Sequence, residues 1–270
     1  MPAKNPQAEQ MADESMVRNL AAQAQAIWPQ ERPIFEGYAL KAHARILDLA
    51  CGTGEISERL ADLFPRVEIL GLDVESAHLE RARTRCERFG ERVRFDVGDA
   101  FALKLPKARF DLAVCRHLFQ AVPHPERIVE QMKRVLKPGG RIHLIVEDYS
   151  LMLFAPTKSN CDEFFARGPL TYGKATGTDL RIGRKTPALL SEMGFKDVRC
   201  EYLVIDTLRV KREIFAAIWR AWRDGYTDTI ARHTGQSRRK VWNGWNEMID
   251  AIENPNGYGV WLLPCVSAKK

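Results

Sequence analysis

Hydrophobic residues in the first 150 positions follow two alternating patterns. Compact apolar runs without polar alternation are typical of strands that are buried on both faces of a sheet. Between these runs, apolar residues recur at intervals of three and four, which is typical of amphipathic helices. The runs predict strands at residues 45–50, 67–72, 92–97, 110–115 and 141–146, and the helical pattern covers 55–64, 76–89 and 125–136. This alternation favours an α/β fold whose parallel sheet has helices on both faces.

Residues outside this alternation show other patterns. Residues 9–28 predict a helix that ends at Trp28-Pro29, because proline interrupts helical hydrogen bonding. Residues 150–185 are rich in glycine, proline and mixed charge, which predicts loops. Further patterns predict a helix at 186–193, a strand at 196–206, helices within 211–252 and a last strand at 259–267. We expect a bulge at Pro264 in that last strand, because proline cannot donate to a strand ladder.

These patterns divide the chain into three parts. We expect residues 1–43 to form an N-terminal helical lid segment and residues 207–252 to form a helical insert that covers the substrate. Residues 44–206 and 253–270 are expected to form the α/β core. Ligands of parallel α/β sheets bind beyond the carboxyl ends of the strands, so we predict the functional site at that edge.

Composition narrows the class of protein. The six cysteines are scattered, without a CxxC pair or metal-finger spacing, so we predict no metal site and a reducing, cytoplasmic location. No apolar run of about eighteen residues occurs, and we expect no membrane partner. The net charge of +6 is concentrated in residues 207–252, which hold nine Lys or Arg against five Asp or Glu. Such a segment can attract an anionic substrate or a nucleic acid, but a solvated helix face is the simpler interpretation.

The segment ILDLACGTGEIS, residues 46–57, joins the first predicted strand to the helix that follows it. Gly52 and Gly54 permit a sharp turn and a close approach of the backbone to a ligand. Ser57 stands where a dinucleotide-binding GxGxxG motif has its third glycine, and Glu55 places a carboxylate where a pyrophosphate would lie. The turn therefore favours a neutral or cationic ligand without phosphates.

Acidic residues lie at the ends of three neighbouring predicted strands. Asp48 is near the end of the first, Asp73 ends the second, and Asp99 follows the third. Asp73 is placed to accept from ribose hydroxyls, and Asp99 could accept from an adenine amino group. Each carboxylate alone is equally compatible with a cap or a turn. Together the three favour a nucleoside site.

Four segments of the chain resemble the class I methyltransferases that use S-adenosylmethionine. They are ILDLACGTGEIS, LGLDVE, FDVGDAF and FDLAVCRHLFQAVPHPERIVEQMKRVLKPGGRIHLIVED. The resemblance covers roughly residues 38–150, and the pairing of DLACGTG with RVLKPGG is quite specific. It implies a Rossmann-like sheet of seven strands, whose last strand is antiparallel and lies inside the sheet. It also implies S-adenosylmethionine as the cofactor.

The resemblance implies roles for individual residues as well. Gly52 and Gly54 would make room for the methionine portion, and Arg116 would lie near its carboxylate. Asp73 would hold the ribose, and Asp99 with Ala100 would contact the adenine. Ala50 stands where the family usually has a glycine, and Tyr38 lies where the family often places a cofactor contact. The predicted cofactor-binding residues are Tyr38, Asp48, Ala50, Gly52, Gly54, Asp73, Asp99, Ala100 and Arg116.

Catalytic residues are less constrained, because the sulfonium of the cofactor already activates the methyl group. A general base is needed only if the acceptor is protonated at neutral pH. We predict His117, Asp148 and Tyr149, at adjacent strand ends, as bases or hydrogen-bond partners of the substrate. Packing of His117 in its turn, capping of a loop by Asp148 and packing of Tyr149 under a lid are the alternatives.

The insert holds four of the six tryptophans. They are Trp219, Trp222, Trp242 and Trp245, and Phe215 and Tyr226 accompany them. The spacing of three puts each tryptophan pair on one helix face. These residues predict either the insert's own core against the sheet or an aromatic wall for a flat or apolar small molecule. Arginines such as Arg220 and Arg223 could assist in the second case.

The sequence therefore favours in-line methyl transfer from S-adenosylmethionine to an oxygen or nitrogen of a small molecule. The basic insert permits a nucleic acid or protein substrate instead. However, CRHLFQ follows the fourth strand, where amino-methylating enzymes of that kind have an Asn/Asp-Pro-Pro-aromatic run, so we expect no nucleic-acid partner. A nicotinamide-dependent dehydrogenase is disfavoured by Ser57. A non-catalytic S-adenosylmethionine-binding protein is the third alternative. The acceptor and the oligomeric state stay open.

Overall fold

This computed structural model describes Pro6 and residues 14–270. Within these residues, eight strands form a single sheet. Their order across the sheet is β3-β2-β1-β4-β5-β8-β7, and the short β6 pairs with β8 on the side that β5 occupies. Strands β1 to β5 are parallel, and β8 is antiparallel to its neighbours. The predicted Rossmann-like α/β sheet, with its antiparallel last strand inside, is confirmed. The strands are β1 (Arg45–Leu49), β2 (Glu68–Asp73), β3 (Val93–Val97), β4 (Phe110–Arg116), β5 (Leu136–Ile145), β6 (Met152–Ala155), β7 (Lys196–Asp206) and β8 (Tyr258–Lys269).

Helices alternate with the strands in the first half of the fold and dominate the second half. Among those described, none combines the length and the hydropathy that crossing a bilayer would require. Short 3₁₀ turns occupy Glu87–Arg92, Phe119–Ala121 and Ile182–Arg184. The α-helices are α1 (Glu14–Glu36), α2 (Glu55–Leu63), α3 (Ser76–Cys86), α4 (Pro125–Val135), α5 (Cys161–Arg167), α6 (Pro169–Thr176), α7 (Thr186–Glu192), α8 (Arg212–Thr234) and α9 (Arg238–Glu253).

The first helix is longer than its sequence predicts. The expected end at Trp28-Pro29 is wrong, because α1 continues through Pro29 and Pro33. Residues 9–13 of the predicted helix lie outside the described part of the chain. Tertiary contacts stabilise the extra turns: the side-chain amide of Gln30 donates to the Val204 carbonyl at 2.7 Å and accepts from the Val204 N–H at 2.9 Å. These bonds to the edge strand β7 and the burial of the α1 face outweigh the proline penalty of about 3 kcal/mol.

The last strand passes through Pro264 without the expected bulge. Pro264 is aligned with Tyr202, and the register between β7 and β8 runs unbroken from Arg199 to Asp206. The Pro264 carbonyl accepts from the Val146 N–H at 3.1 Å, on the side of β8 away from β7. The N–H and C=O of a strand residue point to the same side. The missing donor of Pro264 therefore costs no ladder bond with β7, and no bulge is needed.

The expectation of loops in residues 150–185 is also wrong, since this segment contains β6, α5 and α6. Each of these elements is eight residues or shorter, so none shows a full hydrophobic period in the sequence. The insert forms the hairpin of α8 and α9 between β7 and β8. It packs on the sheet through a buried cluster that includes Trp219, Trp245 and Trp261.

Candidate active site

Between β1 and α2 the backbone makes a turn with three left-handed residues. The φ angle is +57° at Ala50, +53° at Gly52 and +77° at Gly54. This conformation costs an alanine about 1–2 kcal/mol, and such strain clusters at functional sites. Asp73 at the end of β2 holds the turn, because its Oδ2 accepts from the Gly52 N–H at 2.8 Å and its Oδ1 from the Glu75 N–H at 3.0 Å. Each oxygen keeps a second lone pair for a further donor.

The two glycines face different neighbours. A Cβ at Gly54 would lie 2.9 Å from the Cβ of Ala82 in α3 and 3.3 Å from the ring of Phe95. A Cβ at Gly52 would lie 2.9 Å from Cδ1 of Leu20 in α1, a side chain that lines a cavity beside the turn. A side chain at Gly52 would therefore meet Leu20 beside the cavity, whereas a side chain at Gly54 would clash with closely packed core residues.

We expect Gly54→Ala to lower the free energy of unfolding by about 3 kcal/mol, because it adds overpacking against α3 to an unfavourable φ. Gly52→Ala meets only the flexible end of Leu20, and we expect a loss of about 1–2 kcal/mol from φ alone. Urea unfolding of both variants measures this difference. Equal losses would contradict the assignment of Gly54 to packing.

Asp48 is buried in β1 and accepts a hydrogen bond from the Ser57 hydroxyl at 2.6 Å. Burial raises the pKa of its carboxyl to about 6, although the Ser57 bond and Arg116 act in the opposite direction. Ser57 thus orients Asp48. Sequence reasoning missed this role, because it considered Ser57 only as the residue that replaces the third glycine of a GxGxxG motif.

Glu55 lines the cavity beside the turn, together with Asp48. Its carboxylate is 2.8 Å from Nη1 of Arg59 and also pairs with Arg85. These two guanidinium groups offset the charge of Glu55 at the start of α2. The preference of the turn for a ligand without phosphates stays a prediction, and Asp48 is the carboxylate in this cavity without a paired cation in the described part of the chain.

A cavity of about 30 Å³ lies at the carboxyl ends of β1 and β4, and we call it the cofactor cavity. Asp48, Ala50, Arg116 and His117 line it, so the structure brings these predicted residues together. Thr53 also lines it, and Thr53 Oγ1, Arg116 Nη2 and His117 Nε2 are buried without a hydrogen-bond partner among the described residues. Orphaned buried polar atoms are rare and costly unless a ligand satisfies them. A carboxylate and a guanidinium in one cavity match the ammonium and carboxylate of the methionine portion of S-adenosylmethionine.

His117 follows β4 directly and has a left-handed φ of +55°. Its Nδ1 is 2.8 Å from Oε1 of Glu147, and this bond places the ring proton on Nδ1 and leaves Nε2 as the basic nitrogen. Burial lowers the pKa of His117 and outweighs the opposite effect of Glu147. A neutral imidazole oriented by a carboxylate is the arrangement of a general base. Sequence reasoning selected the adjacent Asp148 and missed Glu147, because nothing in the pattern distinguishes the two carboxylates.

Asp148 is not brought to the cofactor cavity. Its buried carboxylate pairs with Arg184 through two hydrogen bonds, one of them 2.8 Å long, and accepts from the Ser150 N–H at 3.0 Å. These contacts fix the segment after β5, which favours the loop-capping alternative for Asp148. Its role as a base stays a prediction without a supporting contact.

A second cavity, of about 20 Å³, lies between Tyr149 and the insert, and we call it the aromatic chamber. Its walls include Tyr149, Tyr172, Trp222, Tyr226 and Trp245. The Tyr149 and Trp222 rings are stacked with centroids 5.6 Å apart. Burial, followed by the negative charge of nearby Glu147, raises the pKa of the Tyr149 and Tyr226 hydroxyls. His117 thus lines the cofactor cavity, and its partner Glu147 interacts with Tyr149, which lines the aromatic chamber.

The prediction that the insert aromatics form a core against the sheet is confirmed, because Phe215, Trp219, Trp222 and Trp245 are buried in that cluster. Trp222, Tyr226 and Trp245 also line the aromatic chamber, and their role as a wall for a small molecule stays a prediction. Trp242 belongs to neither group.

Arg220 and Arg223 of the insert form ion pairs with acidic residues. Arg220 pairs with Glu253. Arg223 pairs with Asp224 and lies 4.2 Å from the centroid of the Trp242 ring. Neither residue lines the chamber, so assistance to the substrate by Arg220 and Arg223 stays a prediction without a supporting contact.

The remaining predicted residues lie in two places. Asp99 follows β3, where its Oδ1 accepts from the Phe101 N–H at 2.8 Å, and the adjacent Ala100 is buried. Tyr38 lies apart from the cofactor cavity, because its hydroxyl is 2.7 Å from Nδ1 of His143 within β5. A direct contact between Tyr38 and the cofactor stays a prediction that this placement does not support.

Comparison with known proteins identifies the family. Residues 40–179 match the model of the methyltransferase domain. The chain is 39% identical over 102 residues to a demethylmenaquinone methyltransferase of Thermus thermophilus, covering 38% of this chain and 46% of that protein. It is 30% identical over 179 residues to a ubiquinone/menaquinone biosynthesis C-methyltransferase of Coxiella burnetii, covering 60% and 70%. The chain thus spans about half the length of the Thermus relative.

A solved structure shows the same fold. Phosphoethanolamine N-methyltransferase 2 of Haemonchus contortus, in complex with phosphomonomethylethanolamine and S-adenosylhomocysteine, has a TM-score of 0.58 at 20% identity, over 90% of this chain and 52% of that one. At this identity the likeness concerns the fold alone. Since the domain model covers more than half of the chain and the last strand is antiparallel and lies inside the sheet as expected, the chain belongs to the class I methyltransferases, whose cofactor is S-adenosylmethionine.

Proposed function

We propose that this chain transfers a methyl group from S-adenosylmethionine to a hydroxyl oxygen of a small, planar acceptor, with His117 as the general base. The observation that carries this proposal is the His117–Glu147 pair at the cofactor cavity, with His117 Nε2 unpartnered among the described residues. When bound, the cofactor supplies an electrophilic methyl group. A hydroxyl carries a proton at neutral pH and benefits from a base, whereas a neutral amine attacks without prior deprotonation.

The protein's part in this reaction is to move one proton and to position the acceptor. His117 Nε2 accepts the hydroxyl proton as the new O–C bond forms. Glu147, bonded to Nδ1, stabilises the imidazolium that results. Loss of this proton to solvent restores the neutral imidazole for the next turnover.

The aromatic chamber supports a planar acceptor. The Tyr149 and Trp222 rings stack on each other, and a planar acceptor inserted between them would gain offset stacking on both of its faces. The chamber of about 20 Å³ must widen to admit such an acceptor. Trp245 adds a buried indole Nε1 that has no hydrogen-bond partner within the described structure. This donor would match an oxygen atom on the acceptor.

Four residues are proposed to hold the cofactor. Asp73 accepts from the ribose hydroxyls, Asp48 accepts from the ammonium, and Arg116 donates to the carboxylate. Asp99 accepts from the adenine amino group. Each proposal follows from the residue's place at a strand end and from the hydrogen-bonding capacity that its present contacts leave.

Helix α1 is proposed to act as a lid over the cofactor cavity. The cavity holds about two water molecules, which is less than the amino-acid portion that Asp48 and Arg116 are proposed to bind. Leu20 and Gln23 of α1 line it, and Leu20 lies directly against Gly52. We therefore expect the part of α1 that carries Leu20 and Gln23 to move away from the glycine turn when the cofactor binds.

Methylation of a ring carbon is the second candidate. The printed name of the Coxiella relative is that of a C-methyltransferase. A base that deprotonates a ring hydroxyl also makes the adjacent ring carbons nucleophilic, so the same His117–Glu147 pair would serve either product. The two reactions differ only in which atom lies in line with the methyl group.

A nucleic-acid substrate is disfavoured by the ion pairs of the insert. Arg209, Arg220, Arg223 and Arg238 pair with Asp206, Glu253, Asp224 and Asp228, respectively. Cations that are already paired with carboxylates contribute less to phosphate binding.

The proposal is tested by incubating the protein with S-adenosylmethionine that carries a ¹³C-methyl group and a panel of phenols, hydroxylated quinones and aromatic amines. Nuclear magnetic resonance of the products distinguishes methyl groups on oxygen, carbon and nitrogen. We expect labelled product from hydroxylated aromatics. Label confined to amines would contradict the role of His117 as a base, and binding of the cofactor without transfer to any acceptor would favour a non-catalytic protein.

A further inference from the structure

A buried chain of polar groups joins α1 to the end of β4. The Tyr38 hydroxyl is 2.7 Å from Nδ1 of His143, and Nε2 of His143 is 3.0 Å from Oε1 of Glu31. The same Glu31 oxygen is 3.0 Å from Nε of Arg116. Since a carboxylate can only accept, the His143 proton lies on Nε2 and the Tyr38 hydroxyl donates to Nδ1. Each group in the chain is thereby fixed in one orientation.

Glu31 is ionised within this chain. Its side chain and that of His143 are completely buried, and that of Arg116 is 9% exposed. Burial alone would raise the pKa of Glu31, but Arg116 and His143 outweigh burial and hold that pKa below its usual value. A buried carboxylate persists where it has a matching cation, and here that cation is Arg116.

We propose that Glu31 is a positioning residue for the cofactor's carboxylate, acting through Arg116. The proposal rests on the role assigned to Arg116 above. Glu31 approaches the guanidinium at Nε as a charge contact without hydrogen-bond alignment, and both Nε and Nη2 lack a hydrogen-bond partner among the described residues. Arg116 itself lines the cofactor cavity, so the nitrogen atoms that Glu31 leaves free are those available to a carboxylate ligand.

The position of Glu31 on α1 extends its influence to the lid. Leu20 and Gln23 on the same helix line the cavity, and Glu31 attaches this helix to β4 and β5. The contact therefore fixes the guanidinium and the cavity wall relative to each other. Affinity for ligands that carry the amino-acid portion should depend on Glu31, and affinity for the nucleoside alone should not.

The test is calorimetric binding of two ligands to Glu31→Gln. S-adenosylhomocysteine carries the amino-acid portion, and 5′-methylthioadenosine lacks it. We expect the variant to bind S-adenosylhomocysteine about 10- to 100-fold more weakly, the range for loss of a charge-assisted hydrogen bond. We expect unchanged affinity for 5′-methylthioadenosine. Glu36→Gln is the matched control, because Glu36 lies on the same helix in an exposed pair with Arg32, and it should bind both ligands normally.

A second pair of variants separates this proposal from the role of Arg116. Arg116→Gln should show the same selective loss, and adding Glu31→Gln to it should cost little more. If Arg116→Gln weakens both ligands equally or neither, the assignment of Arg116 fails. If Arg116→Gln weakens only S-adenosylhomocysteine binding but Glu31→Gln does not, Glu31 does not act through Arg116. The same conclusion follows if the losses of affinity of the two single variants add in full in the double variant.

Glu31→Gln leaves Arg116 without its buried counter-ion and could unfold the chain. Glu31→Asp then provides the readout, because it keeps the charge and shortens the side chain by one methylene group. It should reduce the preference for S-adenosylhomocysteine over 5′-methylthioadenosine, though by less than Glu31→Gln. An unchanged preference in a folded Glu31→Asp variant would overturn the proposal.

Discussion

Replacing His117 with asparagine should lower kcat by about 10²- to 10⁴-fold, which is the usual contribution of a general base. Asparagine tolerates the left-handed φ of +55° that His117 adopts, so the backbone should be preserved. Affinity for S-adenosylhomocysteine should change by less than about fivefold, because removing one neutral imidazole contact costs about 1 kcal/mol. The measurement is steady-state kinetics with the acceptor found in the labelling experiment, together with calorimetry.

His124→Asn is a matched control for this variant. His124 also has a left-handed φ, of +57°, but its side chain is 68% exposed. The same substitution there should leave kcat unchanged. If His117→Asn retained full turnover with the natural acceptor, the base would have to be another group or none.

The pH dependence of kcat is an independent test of His117 as the general base. Burial lowers the pKa of His117, so its neutral form persists below the ordinary histidine value of about 6.5. We expect kcat to be constant at neutral pH and to fall only below about pH 6.5, as His117 is protonated. This acidic limb should be absent from the residual activity of His117→Asn. A midpoint above pH 7 would contradict a buried, neutral base.

The second large effect is expected at Asp48, where stability and binding should change in opposite directions. The folded pKa of about 6 exceeds the ordinary aspartate value, so the unfolded chain loses this proton at lower pH than the folded chain. The contribution of Asp48 to stability is therefore fully present below about pH 4, is lost as the pH rises through 6, and stays absent above it. Asp48→Asn should remove this cost and raise the free energy of unfolding by up to about 3 kcal/mol at pH 8.

Asp48→Asn should also bind S-adenosylmethionine roughly 10- to 100-fold more weakly, because the charge-assisted bond to the ammonium is lost. Urea unfolding at pH 5 and pH 8, with calorimetry at pH 8, measures both effects. Asp62→Asn is the control for loss of one carboxylate, because Asp62 lies in α2 and forms an exposed ion pair with Arg88. A variant that is destabilised at pH 8 or binds normally would show that Asp48 is a structural group.

The part of the fold that the sequence predicted best is the parallel sheet. Strands such as β1 and β4 are buried on both faces, so their continuous apolar runs are unlike anything at the surface. Asp73 and Asp99 could be assigned for the same reason, because each directly follows a strand whose end was evident. Local pattern and tertiary environment agree at these positions.

Predictions failed where distant contacts override the local pattern. Pro29 predicts a helix end, yet Gln30 is bonded to β7, a strand 174 residues further along the chain. Glu31 was not identified from the sequence, because its partners Arg116 and His143 belong to two other elements. The pairing of Glu55 with Arg85 is of the same kind. Spacing within one segment cannot reveal a partner that only the folded sheet brings near.

The most direct test of this account is a crystal structure with S-adenosylhomocysteine bound. We expect the ribose hydroxyls within hydrogen-bond distance of Asp73, the ammonium near Asp48 and the carboxylate on Arg116, with α1 displaced from Gly52. His117 Nε2 should face the sulfur from the side of the aromatic chamber. A ligand bound elsewhere on the chain, or one whose amino-acid portion points away from Arg116 and Asp48, would contradict the proposed site.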